Sequence, residues 1–187
     1  MKKFFAIVFT AAVVTIGSSA AFAQMMKQDP MVGGAAMYPT KTIVANAVNS
    51  ADHTTLVAAV KAASLVDTLN GKGPFTVFAP TNAAFDQLPA GTVDMLLKPE
   101  NKATLTKVLT YHVVAGRYDS KALAKLIKHG KGKAWLKTVS GGKLTAMMEG
   151  NNIVLRDEKG GTSTVTIADV YQSNGVIHVV NAVLMPN

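Results

Sequence analysis

The spacing of apolar residues changes along the chain. From Thr42 onward it is helical: Ile43, Val44, Ala47 and Val48 share a stripe, and Leu56, Val57, Val60 and Ala63 share another. Asp52 or Thr54 can cap the second of these helices. Gly71-Lys72-Gly73-Pro74 stops it, and residues 75–79 read as a short apolar strand. Pro80 ends that strand, and Thr81 can cap the helix that follows. Pro89 and Pro99 bracket two further helices, the second with Leu105, Val108, Leu109 and His112 on one stripe. Residues 120–129 form another amphipathic helix, with Leu123, Leu126 and Ile127 inward and Gly130 as its stop.

Beyond Ala134 the period becomes two. Gly141-Gly142 is a hairpin turn between strands at 134–140 and 143–149. Asn151-Asn152 and Lys159-Gly160-Gly161 mark later turns, and Ser173-Asn174-Gly175 precedes a final strand. In that strand Val176, His178, Val180, Ala182 and Leu184 alternate with Ile177, Val179, Asn181, Val183 and Met185, so both faces are buried. Its polar interruptions, His178 and Asn181, need hydrogen-bond partners if buried. Helices come first and strands later without βαβ alternation, which predicts an α+β fold.

Two segments lie outside this domain. Residues 1–23 read as a cleavable signal peptide: Lys2-Lys3, an apolar run from Phe4 to Ile16, and Ala21-Phe22-Ala23 before the cut. The apolar run is too short for a membrane anchor. Residues 24–39, rich in Met and Gly without apolar period, read as a flexible or surface-draped arm. Its Met25, Met26, Met31 and Met37 offer soft thioethers to Cu(I), or adaptable apolar contacts. Removing the signal leaves 164 residues, enough chain to bury a core, with a single domain expected at 40–187.

The chain has no cysteine, which excludes disulfides, thiol catalysis and a lipid-modified cysteine anchor. No Asn-x-Ser/Thr sequon follows residue 23. An exported protein with these features fits the bacterial periplasm or the extracellular medium. The mature charge falls to +6, because the signal carries Lys2 and Lys3 but no acid. In that compartment the charge points to an anionic glycan or lipid surface before nucleic acid, for which no aromatic-interleaved reader motif is present. No nucleophile elbow, zinc-protease helix or phosphate loop occurs, and His53, His112, His129 and His178 fall on unrelated elements without metal-ligand spacing. An enzyme and a cofactor are therefore not expected.

Three segments carry a family resemblance: 75–85, Phe-Thr-Val-Phe-Ala-Pro-Thr-Asn-Ala-Ala-Phe; Thr110-Tyr111-His112; and 175–186, Gly-Val-Ile-His-Val-Val-Asn-Ala-Val-Leu-Met-Pro. In order and distance they resemble the fasciclin (FAS1, beta-Ig-H3) domain, over roughly residues 40–187. The resemblance implies a wedge of two small sheets with helices packed at one end and along an edge, and an adhesion or interaction module rather than an enzyme. Within the segments Phe75, Phe78, Pro80, Thr81, Phe85, Gly175, His178, Asn181 and Pro186 read mainly as framework.

The candidate binding residues lie in and beside these segments. The family pattern implies an adhesion surface at Tyr111-His112; His112, on the helical stripe, also reads as internal glue, and Tyr111, with one apolar end and one end free to bond, allows either role. Asp169-Val170 stands where some animal members carry an Asp-Ile recognition pair, though Asp169 could instead cap a turn. Lys121, Lys125 and Lys128 share one helix face, with Lys131 and Lys133 beyond it: a solvated face, or a contact for anionic polysaccharide or phospholipid headgroups. The expected partner is a cell-surface or envelope protein or an anionic glycan.

Overall fold

The computed structural model describes residues 29–187. The signal peptide, Met25 and Met26 lie outside the described residues. What remains of the arm is built into the domain: β1 (Met31–Val32) and β2 (Ala35–Ala36) form a small hairpin, with Val32 and Met37 buried in the core. The arm has no apolar period because a turn so short buries single residues rather than a face. Met31 is exposed and Met37 fully packed, so these two methionines do not present one soft ligand set.

Among the described residues the helices are α1 (Ile43–Ala47), α2 (Thr54–Ala62), α3 (Val66–Asn70), α4 (Asn82–Asp86), α5 (Thr92–Leu97), α6 (Lys102–Tyr111) and α7 (Ser120–His129), in the expected order except that α3 separates from the helix expected to run up to Gly71. Thr42, Thr81 and Asp119 cap α1, α4 and α7 through their side-chain oxygens. Neither Asp52 nor Thr54 caps α2. That helix is capped from another element: Asn82 Oδ1 accepts from Thr55 N–H at 3.0 Å, and its Nδ2 donates to the Ala51 carbonyl at 2.8 Å.

The strands are β3 (Phe75–Pro80), β4 (Val113–Ala115), β5 (Lys133–Lys137), β6 (Lys143–Glu149), β7 (Asn152–Arg156), β8 (Thr162–Gln172) and β9 (Gly175–Val180). The expected two sheets are one continuous ladder, ordered β4-β3-β9-β8-β7-β6-β5. Strand β8 serves both halves of the wedge: its first residues pair with β7 and its remainder with β9. A bridge between Val114 and Thr138 brings the two ends of the ladder together, nearly closing it.

Strands β3 and β9 pair in parallel inside the ladder, and each separates two cores. Val77, Ala79, Ile177 and Val179 join the helical layer, where Leu56, Val60, Leu105 and Leu109 pack. Phe78 and Val180 join the wedge interior with Leu123, Ile127, Leu136, Leu144 and Leu155. Gly175 permits this closeness, since a Cβ there would lie 2.1 Å from the Phe75 carbonyl oxygen. Phe85 is buried, folding α4 back onto the sheet. The last strand is shorter than expected. At Asn181 the side-chain Oδ1 accepts from Thr164 N–H and the chain leaves the ladder, so residues 181–187 are irregular, with Leu184 and Pro186 buried.

Candidate functional site

Tyr111 and His112 close α6 at the junction of the two cores, and neither reaches the surface. Tyr111 is 0 % exposed. Its hydroxyl donates to the Lys143 carbonyl at 2.7 Å and accepts from Glu158 N–H at 3.2 Å, joining α6 to β6 and to the turn after β7. The ring lies under Gly142, where a Cβ would come within 2.7 Å of it. Burial, opposed by the Glu158 amide and reinforced by the Glu158 and Asp157 charges, pushes its pKa up to about 12.

His112 is held at both nitrogens: Nδ1–H donates to the Val108 carbonyl at 2.8 Å, and Nε2 accepts from Leu184 N–H at 2.9 Å. That pairing fixes one neutral tautomer and ties the last segment to α6. Burial lowers its pKa from 6.5 to about 4, against the favourable Val108 carbonyl. The reading of Tyr111-His112 as a recognition surface is thus corrected. The two side chains fasten three parts of the fold.

Asp169-Val170 is corrected in the same direction. Strand β8 shifts register between Ile167 and Val170, and Asp169 takes a left-handed backbone with φ 61°. This bulge turns Val170 into the helical core, where it is 0 % exposed. The half-buried Asp169 carboxylate accepts from Ser120 N–H at 2.6 Å and from the Ser120 hydroxyl at 2.5 Å, at the start of α7. Asp169 N–H points at His178 Nδ1, 3.4 Å away, while His178 Nε2–H donates to the Tyr118 carbonyl at 2.8 Å. His178 also stacks on Phe78, with centroids 5.7 Å apart, and its pKa is lowered chiefly by burial. Asp169 is therefore a fastener between the bulge and α7.

Lys121, Lys125 and Lys128 do lie exposed on one face of α7, as their spacing predicts. The larger feature is one that sequence reasoning missed. Between Asp119 and Glu149 the chain carries seven lysines (121, 125, 128, 131, 133, 137 and 143) and no acidic residue. All seven are exposed. Strand β5 buries Ala134 and Leu136 and presents Lys133, Trp135 and Lys137 outward. Trp135 is the chain's only tryptophan and is 73 % exposed. Lys143 Nζ from the neighbouring strand β6 sits 5.1 Å from its ring centroid. A groove beside it brings Leu126 of α7, itself partly exposed, next to Trp135, Lys137 and Val139. The signal was available in the alternation Lys-Ala-Trp-Leu-Lys: once Ala134 and Leu136 face inward, Trp135 faces water.

An exposed tryptophan offers a large rigid apolar face at low entropy cost, the kind of side chain enriched at recognition surfaces. It can stack on a ring while Lys133, Lys137 and Lys143 meet anionic substituents; Arg156, Asp157 and Glu158 line the groove on its other side. Among the described residues no group of three or more His, Asp or Glu could hold a metal ion, and no helix is long and apolar enough to cross a membrane.

A second concave feature lies in the helical layer. A cavity of about 190 Å³ separates α1, α2 and α3 from β3 and the end of α6. Its wall is almost wholly apolar.

Comparison with known proteins places this architecture. The family model described as the Fasciclin domain matches residues 51–186. Protein sll1483 of Synechocystis sp. is 46% identical over 160 residues, covering 86% of this chain and 82% of its own. Immunogenic protein MPB70 of Mycobacterium bovis is 36% identical over 168 residues, covering 87% and 72%. The transforming growth factor-beta-induced protein ig-h3 of Sus scrofa is 37% identical over 131 residues, 70% of this chain but 17% of that much longer protein. The fold matches a FAS1 domain pair from the insect cell adhesion molecule Fasciclin I with a TM-score of 0.68 at 20% identity, over 78% of this chain and 51% of that one. The chain belongs to the fasciclin family.

Proposed function

We propose that this protein is an exported, non-catalytic adhesion module that binds anionic polysaccharide of a cell surface or envelope through the face centred on Trp135. One observation carries the reading: an exposed tryptophan on β5 stands between Lys133 and Lys137 of its own strand and beside Lys143 of β6, within a stretch of seven exposed lysines that has no acid in its sequence. An indole face packs on the C–H face of a sugar ring, and ammonium groups on either side meet its carboxylates or sulfates. The groove on the β7 side of Trp135 also holds Arg156, Asp157 and Glu158, so the positive charge is densest toward Lys133, Lys137 and Lys143, where it raises the local concentration of an anionic partner and makes binding salt-sensitive. Family membership supports an adhesive role, since Fasciclin I, whose FAS1 pair shares this fold, is an insect cell adhesion molecule. Export rests on the N-terminal segment, with Lys2-Lys3, its apolar run and Ala21-Phe22-Ala23.

The experiment compares the mature protein with Trp135→Ala and with the triple variant Lys121→Glu, Lys125→Glu, Lys128→Glu. Retention is measured on immobilised dextran sulfate and on vesicles containing phosphatidylglycerol. The expected result is retention of the parent on dextran sulfate that falls with rising salt, and loss in both variants. Retention equal to the parent in both variants overturns the site. Binding to vesicles alone replaces the glycan with a lipid headgroup surface.

A further inference from the structure

The adhesion face leaves the interior of the helical layer unexplained. There the cavity of about 190 Å³ is lined by aliphatic side chains from four elements, among them Ile43, Ala47, Val57, Val60, Leu69 and Val77. Its size exceeds that of an apolar cavity of about 150 Å³ that takes up benzene. Closely packed native interiors hold few voids larger than a water molecule, so a space of this volume is exceptional.

Its chemistry excludes a polar occupant. His112 lines the inner end, but both ring nitrogens are already bonded, to the Val108 carbonyl and the Leu184 amide. A bound water needs two to four polar partners, which this wall does not offer. Val48 and Val139 in its lining are 48% and 47% exposed, so the cavity reaches the surface. Lys61, exposed, is the one lysine or carboxylate among the lining residues. An apolar interior with a single cation in its lining is complementary to a tail that ends in a carboxylate.

We infer that this cavity is a binding site for a medium-chain carboxylate: the alkyl tail fills the space between α1, α2 and β3, and the carboxylate remains in water near Lys61. The cavity shares only Val139 with the groove beside Trp135, and Phe78 is the one wedge-interior side chain in its lining.

The test titrates the mature protein with octanoate, and with octanol as the uncharged control, following methyl resonances by two-dimensional NMR and thermal stability in parallel. Both probes are expected to shift the methyl signals of Val57, Val60 and Val77 saturably and to raise Tm. Val57→Phe, which fills the space from a half-exposed position, weakens both probes about tenfold or more without lowering Tm. Ala47→Leu is a second, smaller filling substitution with the same expected direction. Lys61→Glu weakens octanoate about fivefold and leaves octanol unchanged. The absence of saturable shifts with either probe overturns the site, as does affinity unaltered in both filled variants that remain folded. Equal octanoate affinity in Lys61→Glu overturns the assignment of the carboxylate. Trp135→Ala leaves every one of these readings at the parent value, which separates this site from the adhesion face.

Discussion

The two faces of strand β5 and its neighbour β6 have opposite compositions. Inward, Ala134, Leu136, Leu144 and Ala146 sit in the wedge interior with Leu123 and Ile127 of α7. Outward, Lys133, Trp135, Lys137 and Lys143 stand in solvent on the other side of the same sheet. The inner face is where the family's recurrent residues gather: Tyr111 bonds the Lys143 carbonyl, and His112 and His178 hold backbone groups on either side. The outer face has charge and an exposed indole and makes no contribution to the core. A sheet one residue thick thus separates what keeps the domain folded from what can meet a partner. Residues that define the family need not be those that bind.

Breaking the inner face has the largest expected effect. Gly175→Ala places a Cβ 2.1 Å from the Phe75 carbonyl oxygen and forces the parallel pair apart. We expect a loss of about 4 kcal/mol or more, read as urea unfolding of the purified domain or its failure to fold. Next comes His112→Leu, which strands the Leu184 amide and the Val108 carbonyl without partners. About 3 kcal/mol is expected, from two buried groups at the usual cost of each.

The pH dependence follows from the same residue. His112 titrates near 6.5 when unfolded and at about 4 when folded, so the folded state resists protonation. Its contribution is intact above pH 6.5 and is lost as pH falls from 6.5 toward 4, by about 3 kcal/mol in all. His53 and His178, whose pKa values burial also lowers, act in the same direction. Urea titrations at a series of pH values check this, and His112→Leu is expected to flatten the profile.

Tyr111→Phe is milder. It removes one hydroxyl with two partners, at about 1–2 kcal/mol, and leaves polysaccharide retention unchanged. Smallest in stability is Trp135→Ala, within about 0.5 kcal/mol because the side chain is largely in water.

Much of the fold is legible in the sequence because it rests on local rules. The stripe in α7, the cap at Thr81 and the glycine hairpin before β6 are each encoded within a few residues. What escapes a reading of the sequence depends on the tertiary arrangement. Asn82 caps α2 from a separate element, so the local candidates Asp52 and Thr54 mislead. The bulge before Val170 reverses the side to which that residue points, which alternation along β8 cannot reveal. Tyr111 lies off the α6 stripe and is buried because the wedge interior closes over it. The exposure of Trp135 follows from alternation alone, once the apolar face of β5 is set inward.

The most direct test sets one residue from each face side by side. His112→Leu and Trp135→Ala are compared with the parent for retention on dextran sulfate at equal amounts of folded protein, with Tm recorded for each. Separation of scaffold from recognition predicts that His112→Leu lowers Tm yet retains polysaccharide binding, whereas Trp135→Ala keeps its Tm and loses binding. The reverse pattern, binding lost with His112 and kept without Trp135, would contradict it.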